Sequence, residues 1–187
     1  MFTKYIERMN ILLDQINPSL IYQIINKLLD CKSTVYFIGN GASASMASHF
    51  SVDLMKNGKI KTQCFHDPSF LTCYSNDFGY DNVFAKKIEE IGTKQDILFA
   101  ISSSGNSENI IRAVNKAKEI GMLVIGFSGF SRSNRLNNLS DISVFVDGKT
   151  FGEVEITHNV ILHYFMDIVE EERKRYMIKS NNYSIEE

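Results

Sequence analysis

Two short stretches of this chain, Ile97-Leu98-Phe99-Ala100-Ile101 and Leu123-Val124-Ile125-Gly126-Phe127, are apolar at almost every position. A strand with one face in water alternates apolar and polar residues, whereas a strand covered on both faces does not. Both stretches therefore belong in the middle of a sheet with helices on either side, as strands over Asp96 to Ser102 and Met122 to Phe127. Three more β-branched or aromatic runs, Val35 to Ile38, Thr62 to Phe65 and Ile142 to Val146, alternate with longer segments of helical periodicity. This order predicts a three-layer α/β/α sandwich around a five-stranded parallel sheet, flavodoxin-like in class.

Ahead of the first strand, apolar residues recur at helical spacing and break at Asn17-Pro18, a cap followed by proline at the first helical position. Two helices are expected there. After the last strand a helical pattern runs from Gly152 to about Met177, and the polar Lys179-Ser180-Asn181-Asn182 reads as a frayed tail. The chain is thus expected to be one domain over residues 1–178, with a helical extension to about residue 31 and a flexible tail at 179–187.

A length of 187 residues with 44% hydrophobic content suffices for a core that needs no staples. The 20 basic and 22 acidic residues are scattered, so no basic stripe points to nucleic acid or an anionic membrane. Cys31, Cys64 and Cys73 form no CxxC pair and are expected as buried thiols in a reducing compartment. The amphipathic N-terminus lacks a basic stub followed by an apolar run, and nothing approaches 18 consecutive apolar residues. A cytoplasmic protein with a small-molecule or protein partner is expected.

Two strands end in turns that open helices, the place where α/β sheets bind ligands. The first is Gly39-Asn40-Gly41-Ala42-Ser43, ahead of the small-residue helix Ala44 to Met55. The second, Ser102-Ser103-Ser104-Gly105-Asn106-Ser107, offers hydroxyls and backbone amides that can surround a phosphate, with the helix dipole favouring the dianion. Each turn alone could be an ordinary capped βα connection. Together at one sheet edge they point to a phosphorylated ligand. Neither has Walker or GxGxxG spacing, which disfavours ATP and NAD.

His49 and Asp53, four residues apart, share one face of the helix after the first turn and suit either a metal site or an acid/base pair. On the last helix, Glu155 and His163 are separated by about 12 Å along the axis and could converge on one ion. His158, one turn after Glu155, is a rival ligand or a core histidine.

The two turns, with Ser75-Asn76-Asp77-Phe78-Gly79-Tyr80 between them, resemble the sugar isomerase (SIS) fold, and the Asn-Asp-Phe-Gly segment is similar to its phosphoheptose isomerase branch. That resemblance implies interconversion of sedoheptulose 7-phosphate and a manno-heptose 7-phosphate for lipopolysaccharide or capsule. It implies phosphate held by Ser102, Ser103, Ser104 and Ser107, and sugar hydroxyls met by Asn40, Gly41, Ala42, Asn76, Asp77 and Glu155. It further implies zinc bound by His49, Asp53, Glu155 and His163, with Asp53 as base and His163 as acid, in a homotetramer packed through the N-terminal helices. The family pattern has glutamate at position 53, glutamine at 155, glycine at 42 and often aspartate at 46, where this chain has Asp53, Glu155, Ala42 and Met46. These departures open a second expectation, a non-catalytic SIS protein that binds a phosphosugar or a protein. A third is a zinc-free isomerase using Glu155 and His158.

Overall fold

The computed structural model describes the backbone of residues 1–183 and side chains up to Arg175. Strands β1 (Val35–Gly39), β2 (Thr62–Cys64), β3 (Ile97–Ile101), β4 (Leu123–Gly129) and β5 (Ile142–Val146) pair in parallel in the order β2-β1-β3-β4-β5. The two continuously apolar stretches are β3 and β4, and every residue of β3 is buried.

Helices α1 (Phe2–Asp14) and α2 (Pro18–Asp30) precede the sheet as the periodicity predicts. Asn17 caps α2 by accepting from the Ser19 amide at 2.9 Å, with Pro18 at the first helical position. One face of the sheet is covered by α2, α3 (Ala42–Lys56) and α8 (Phe151–Tyr183). Here Phe37, Phe99 and Phe127 stack across three strands with ring centroids 5.1 and 5.0 Å apart, and Phe50 and Phe165 close over them. The other face is covered by α5 (Val83–Ile91), α6 (Glu108–Ile120) and α7 (Arg135–Leu139), which bury Phe84, Ile88, Ile110 and Leu136 against Leu98, Ala100 and Val124. Burial of this kind, about 25 cal/mol per Å² of apolar surface, is the main force holding the three layers together.

Two expectations change. Residues 179–183 continue α8 rather than fray, and 184–187 lie outside the described residues. A propagating helix gains one hydrogen bond per added residue, and Glu170–Lys174 and Glu171–Arg175 ion pairs brace the turns before it. Asn76 and Asp77 lie in the last turn of α4 (Pro68–Phe78), whose N-cap is Asp67. Of the cysteines, Cys31 and Cys64 are half-buried and Cys73 is exposed.

Candidate active site

In the order β2-β1-β3-β4-β5 the direction of winding reverses between β1 and β3, which leaves a crevice at the carboxyl ends of those two strands. The glycine turn leaves β1 and the serine turn leaves β3, so both open onto it. Gly41 adopts φ 56°, ψ −125° with open space where a Cβ would stand, a conformation readily available only to glycine. The turn is therefore bare backbone facing the crevice.

The carboxamides of Asn40 and Asn109 exchange two hydrogen bonds, 2.9 and 3.0 Å, across that crevice. Tyr80 donates to Asn40 Oδ1 at 2.8 Å, so both lone pairs of that oxygen are used while one N–H of Asn40 has no partner among the described residues. Three separate segments, the turn after β1, the start of α6 and the short helical turn Tyr80–Asn82, are joined at Asn40. Asn109 was not singled out from sequence, because a polar residue in a helix gives no local sign of facing a partner 69 residues away. Asn76 and Asp77 are exposed at the end of α4, bonded to each other at 2.9 Å.

In the serine turn, Ser102 and Ser103 are buried and Ser104 and Ser107 half-buried. Gly105 has φ 63°, and a Cβ there would stand 2.1 Å from Oδ1 of the buried Asn134, so the turn requires glycine on two counts. Asn106 braces it, donating to the Ser104 carbonyl at 3.1 Å and accepting from the Arg135 amide at 3.1 Å. Ser107 is the N-cap of α6, yet its side chain makes no capping bond. That hydroxyl is not spent on the helix. Ser103 Oγ is buried without a hydrogen-bond partner among the described residues.

Glu108 follows Ser107 and would repel an anion seated on the loop. Arg135 at 2.7 Å and Arg112 at 3.0 Å both hold it, which keeps its carboxyl below the ordinary range and offsets its charge. Neither arginine was singled out from the sequence: Arg112 lies one turn after Glu108 on α6, and Arg135 reaches it from α7, 27 residues on.

The metal and acid/base candidates lie where α3 crosses α8. His49 Nε2 is 3.2 Å from Asp53 Oδ2, and the rings of His49 and His163 are 5.5 Å apart between centroids. With Met46, Phe50, Asn159, Leu162 and Met166 these three residues line a cleft of about 10 Å³, room for one small atom or ion. Among the described residues, no three His, Cys, Asp or Glu side chains are close enough to hold a metal.

Glu155 is half-buried and does not line that cleft. Asn159, one turn nearer to His163, lines it instead. His158 is also removed from it. Fully buried against Phe127, with ring centroids 5.3 Å apart, it donates from Nε2 to the Ser128 carbonyl at 3.2 Å. Burial pushes its pKa down to about 4. It is a neutral core histidine, which removes the support for an acid/base pair of Glu155 and His158.

The family model for the SIS domain matches residues 4–129, both phosphate-edge turns included. A phosphoheptose isomerase of Helicobacter pylori (strain P12) is 34% identical over 153 residues, covering 79% of each chain. This chain belongs to the SIS-domain phosphoheptose isomerase family. The fold agrees throughout: the phosphoheptose isomerase of Francisella tularensis superposes with a TM-score of 0.83 at 28% identity, covering 91% of this chain and 96% of that one. The enzyme from Neisseria gonorrhoeae gives 0.80 at 28%, covering 90% and 94%. The expected parallel sandwich is thus the architecture of the family. No helix among the described residues is long and apolar enough to cross a membrane.

Proposed function

We propose that this chain is an aldose–ketose isomerase that interconverts sedoheptulose 7-phosphate and a manno-heptose 7-phosphate, supplying heptose for surface polysaccharide. The observation that carries the reading is the meeting of the glycine turn, the uncapped serine turn and the Asn40–Asn109 bridge at one switch point, in a chain of the phosphoheptose isomerase family.

The phosphate sits at the N-terminus of α6, where the hydroxyls of Ser104 and Ser107 and the loop amides donate and the helix dipole favours the dianion. A phosphate oxygen reaching Ser102 and Ser103 would also satisfy the unpartnered Ser103 hydroxyl, which otherwise costs about 1–3 kcal/mol. The free N–H of Asn40, the Gly41 and Ala42 backbone, Asn76 and Asp77 take the sugar hydroxyls, and Glu155 stands at the far end. Isomerisation moves a proton between adjacent carbons through an enediol. Asp53, with one oxygen turned to His49, accepts the proton from the carbon beside the carbonyl while His163 donates to the carbonyl oxygen; Asp53 then returns its proton to the former carbonyl carbon, and His163 takes one from the hydroxyl on the neighbouring carbon, which becomes the new carbonyl.

Zinc suits the chemistry of two imidazoles and a carboxylate around an ion-sized cleft, and binding it would require these side chains to draw closer together than they stand here. His49, Asp53 and His163 would hold it, with Glu155 as the fourth ligand after a change of side-chain conformation. Bound there, the ion would polarise the carbonyl group. A homotetramer is supported by the exposure of Phe2, Ile6 and Ile11 on α1 while Met9 and Leu12 face inward, and by an apolar groove of about 300 Å³ between Leu13, Pro18, Tyr22, Val160 and Tyr164. A cytoplasmic location suits a phosphorylated substrate and three free cysteines.

The test is turnover of sedoheptulose 7-phosphate by Asp53→Ala and His163→Ala. Each should lose at least about 100-fold in kcat while still binding the phosphosugar. Turnover equal to the parent chain in both variants would end the catalytic assignment and favour the reading as a non-catalytic phosphosugar-binding member of the family.

A further inference from the structure

His66, two residues beyond β2, makes contacts that neither the phosphate turn nor the acid/base cleft uses. Its Nε2 lies 3.0 Å from the carbonyl oxygen of Gly39, the last residue of β1. Its Nδ1 lies 3.0 Å from Ser48 Oγ and 2.8 Å from Cys64 Sγ. A carbonyl only accepts, so Nε2 carries the proton. Nδ1 of the neutral ring is then an acceptor for the Ser48 hydroxyl or the Cys64 thiol, whose own heteroatoms are 3.4 Å apart. Burial lowers the pKa of His66, in keeping with a neutral ring. The orientation of the imidazole is fixed from both sides.

What these bonds join is specific. Pairing of β2 with β1 ends at Cys64 and Phe37, leaving the last two residues of β1 without a partner from that edge strand. The His66 bond to Gly39 is the next tie along, at the residue before Asn40. The Ser48 bond reaches α3 at the residue before His49. One side chain thus connects the base of the glycine turn to the helix that carries His49 and Asp53.

We propose that His66, donating from Nε2, is a positioning residue for the isomerase site, holding the end of β1 and the His49 turn of α3 in a fixed relation. This rests on the proposed function. His66 touches no sugar atom and acts through Gly39 and Ser48. A histidine that merely stabilised the edge strand would make the same bonds, so the test must separate geometry at the site from stability.

Three variants do so. His66→Gln keeps an N–H near the position of Nε2, His66→Asn keeps one only near Nδ1, and His66→Phe keeps the ring shape alone. The expected result is a kcat within about 3-fold of the parent for Gln and a loss of about 10- to 100-fold for Asn and Phe, the range seen when an outer partner of a site residue is removed. Affinity for inorganic phosphate should be unchanged in all three. Equal kcat in the Asn and Phe variants and the parent, or equal losses in all three, would overturn the proposal. Nitrogen-15 spectra of the histidine rings give an activity-independent arm: the parent should show His66 protonated at Nε2, and His66→Phe should shift the His49 and His163 signals. A His66 protonated at Nδ1, or unmoved His49 and His163 signals, would also overturn it. If the parent chain does not turn over sedoheptulose 7-phosphate, the functional reading fails and the spectra alone decide the positioning role.

Discussion

Asn40 and Asn109 bind each other through both of their carboxamide groups, at 2.9 and 3.0 Å, and so tie the turn after β1 to the first turn of α6. The glycine turn and the helix after the serine turn are thereby held at one spacing. Asn109→Ala should leave Asn40 without a fixed orientation and leave polar atoms unpaired. The expected outcome is a loss of about 1–3 kcal/mol in stability by chemical denaturation and roughly a 10-fold fall in kcat/KM. A variant as stable and active as the parent would mean that the bridge does not organise the crevice.

Ser104 and Ser107 are the half-buried hydroxyls of the serine turn, and the Ser107 side chain leaves α6 uncapped. The double variant Ser104→Ala with Ser107→Ala should weaken binding of sedoheptulose 7-phosphate by about 100-fold or more, since each hydrogen bond to a charged group contributes about 1.5–3 kcal/mol. Calorimetry with unphosphorylated sedoheptulose should show no change. Equal weakening for both ligands would place the effect on the sugar rather than the phosphate.

Zinc should raise the melting temperature of the chelator-treated protein, because a ligand that binds only the folded state stabilises it by mass action. His49→Ala should abolish that rise and the accompanying gain in activity. A chelator-treated protein that keeps full turnover, with a melting temperature indifferent to zinc, would remove the metal from the reaction.

His158 makes stability depend on pH in a definite direction. Its pKa is about 4 in the folded chain against an ordinary 6.5, so between those values the unfolded chain takes up a proton that the folded chain does not. Its contribution is complete above about pH 6.5 and lost progressively down to pH 4, a total of about 3 kcal/mol. Denaturant midpoints across that range should fall with acid in the parent and fall less in His158→Leu. Parallel curves would show that another group sets the slope.

The sheet was legible because burial of both strand faces leaves a mark on every residue of the strand. Ile97–Ile101 could be placed in the centre from its own five residues, and Ile142–Val146 could be read as a strand from its β-branched and aromatic run. Asn17-Pro18 marked a helix start because capping is a contact between near neighbours. The i, i+4 pair His49–Asp53 was legible for the same reason, since one helical turn fixes their separation. Glu155 shows the limit of that logic: helical spacing put it near His163 along the axis, but Asn159 lines the cleft.

The order of short-range patterns along this chain therefore determined its layers, the glycine and serine turns at one sheet edge and the residues available for chemistry. Only the tertiary structure decided that Asn109 would meet Asn40, that Arg135 would reach Glu108, that His158 would lie in the core and that His66 would reach Gly39. The reason is that periodicity and capping act over a few residues. Partners joined through the sheet crossovers are set by how helices seat on strands, and nothing local to either partner encodes that.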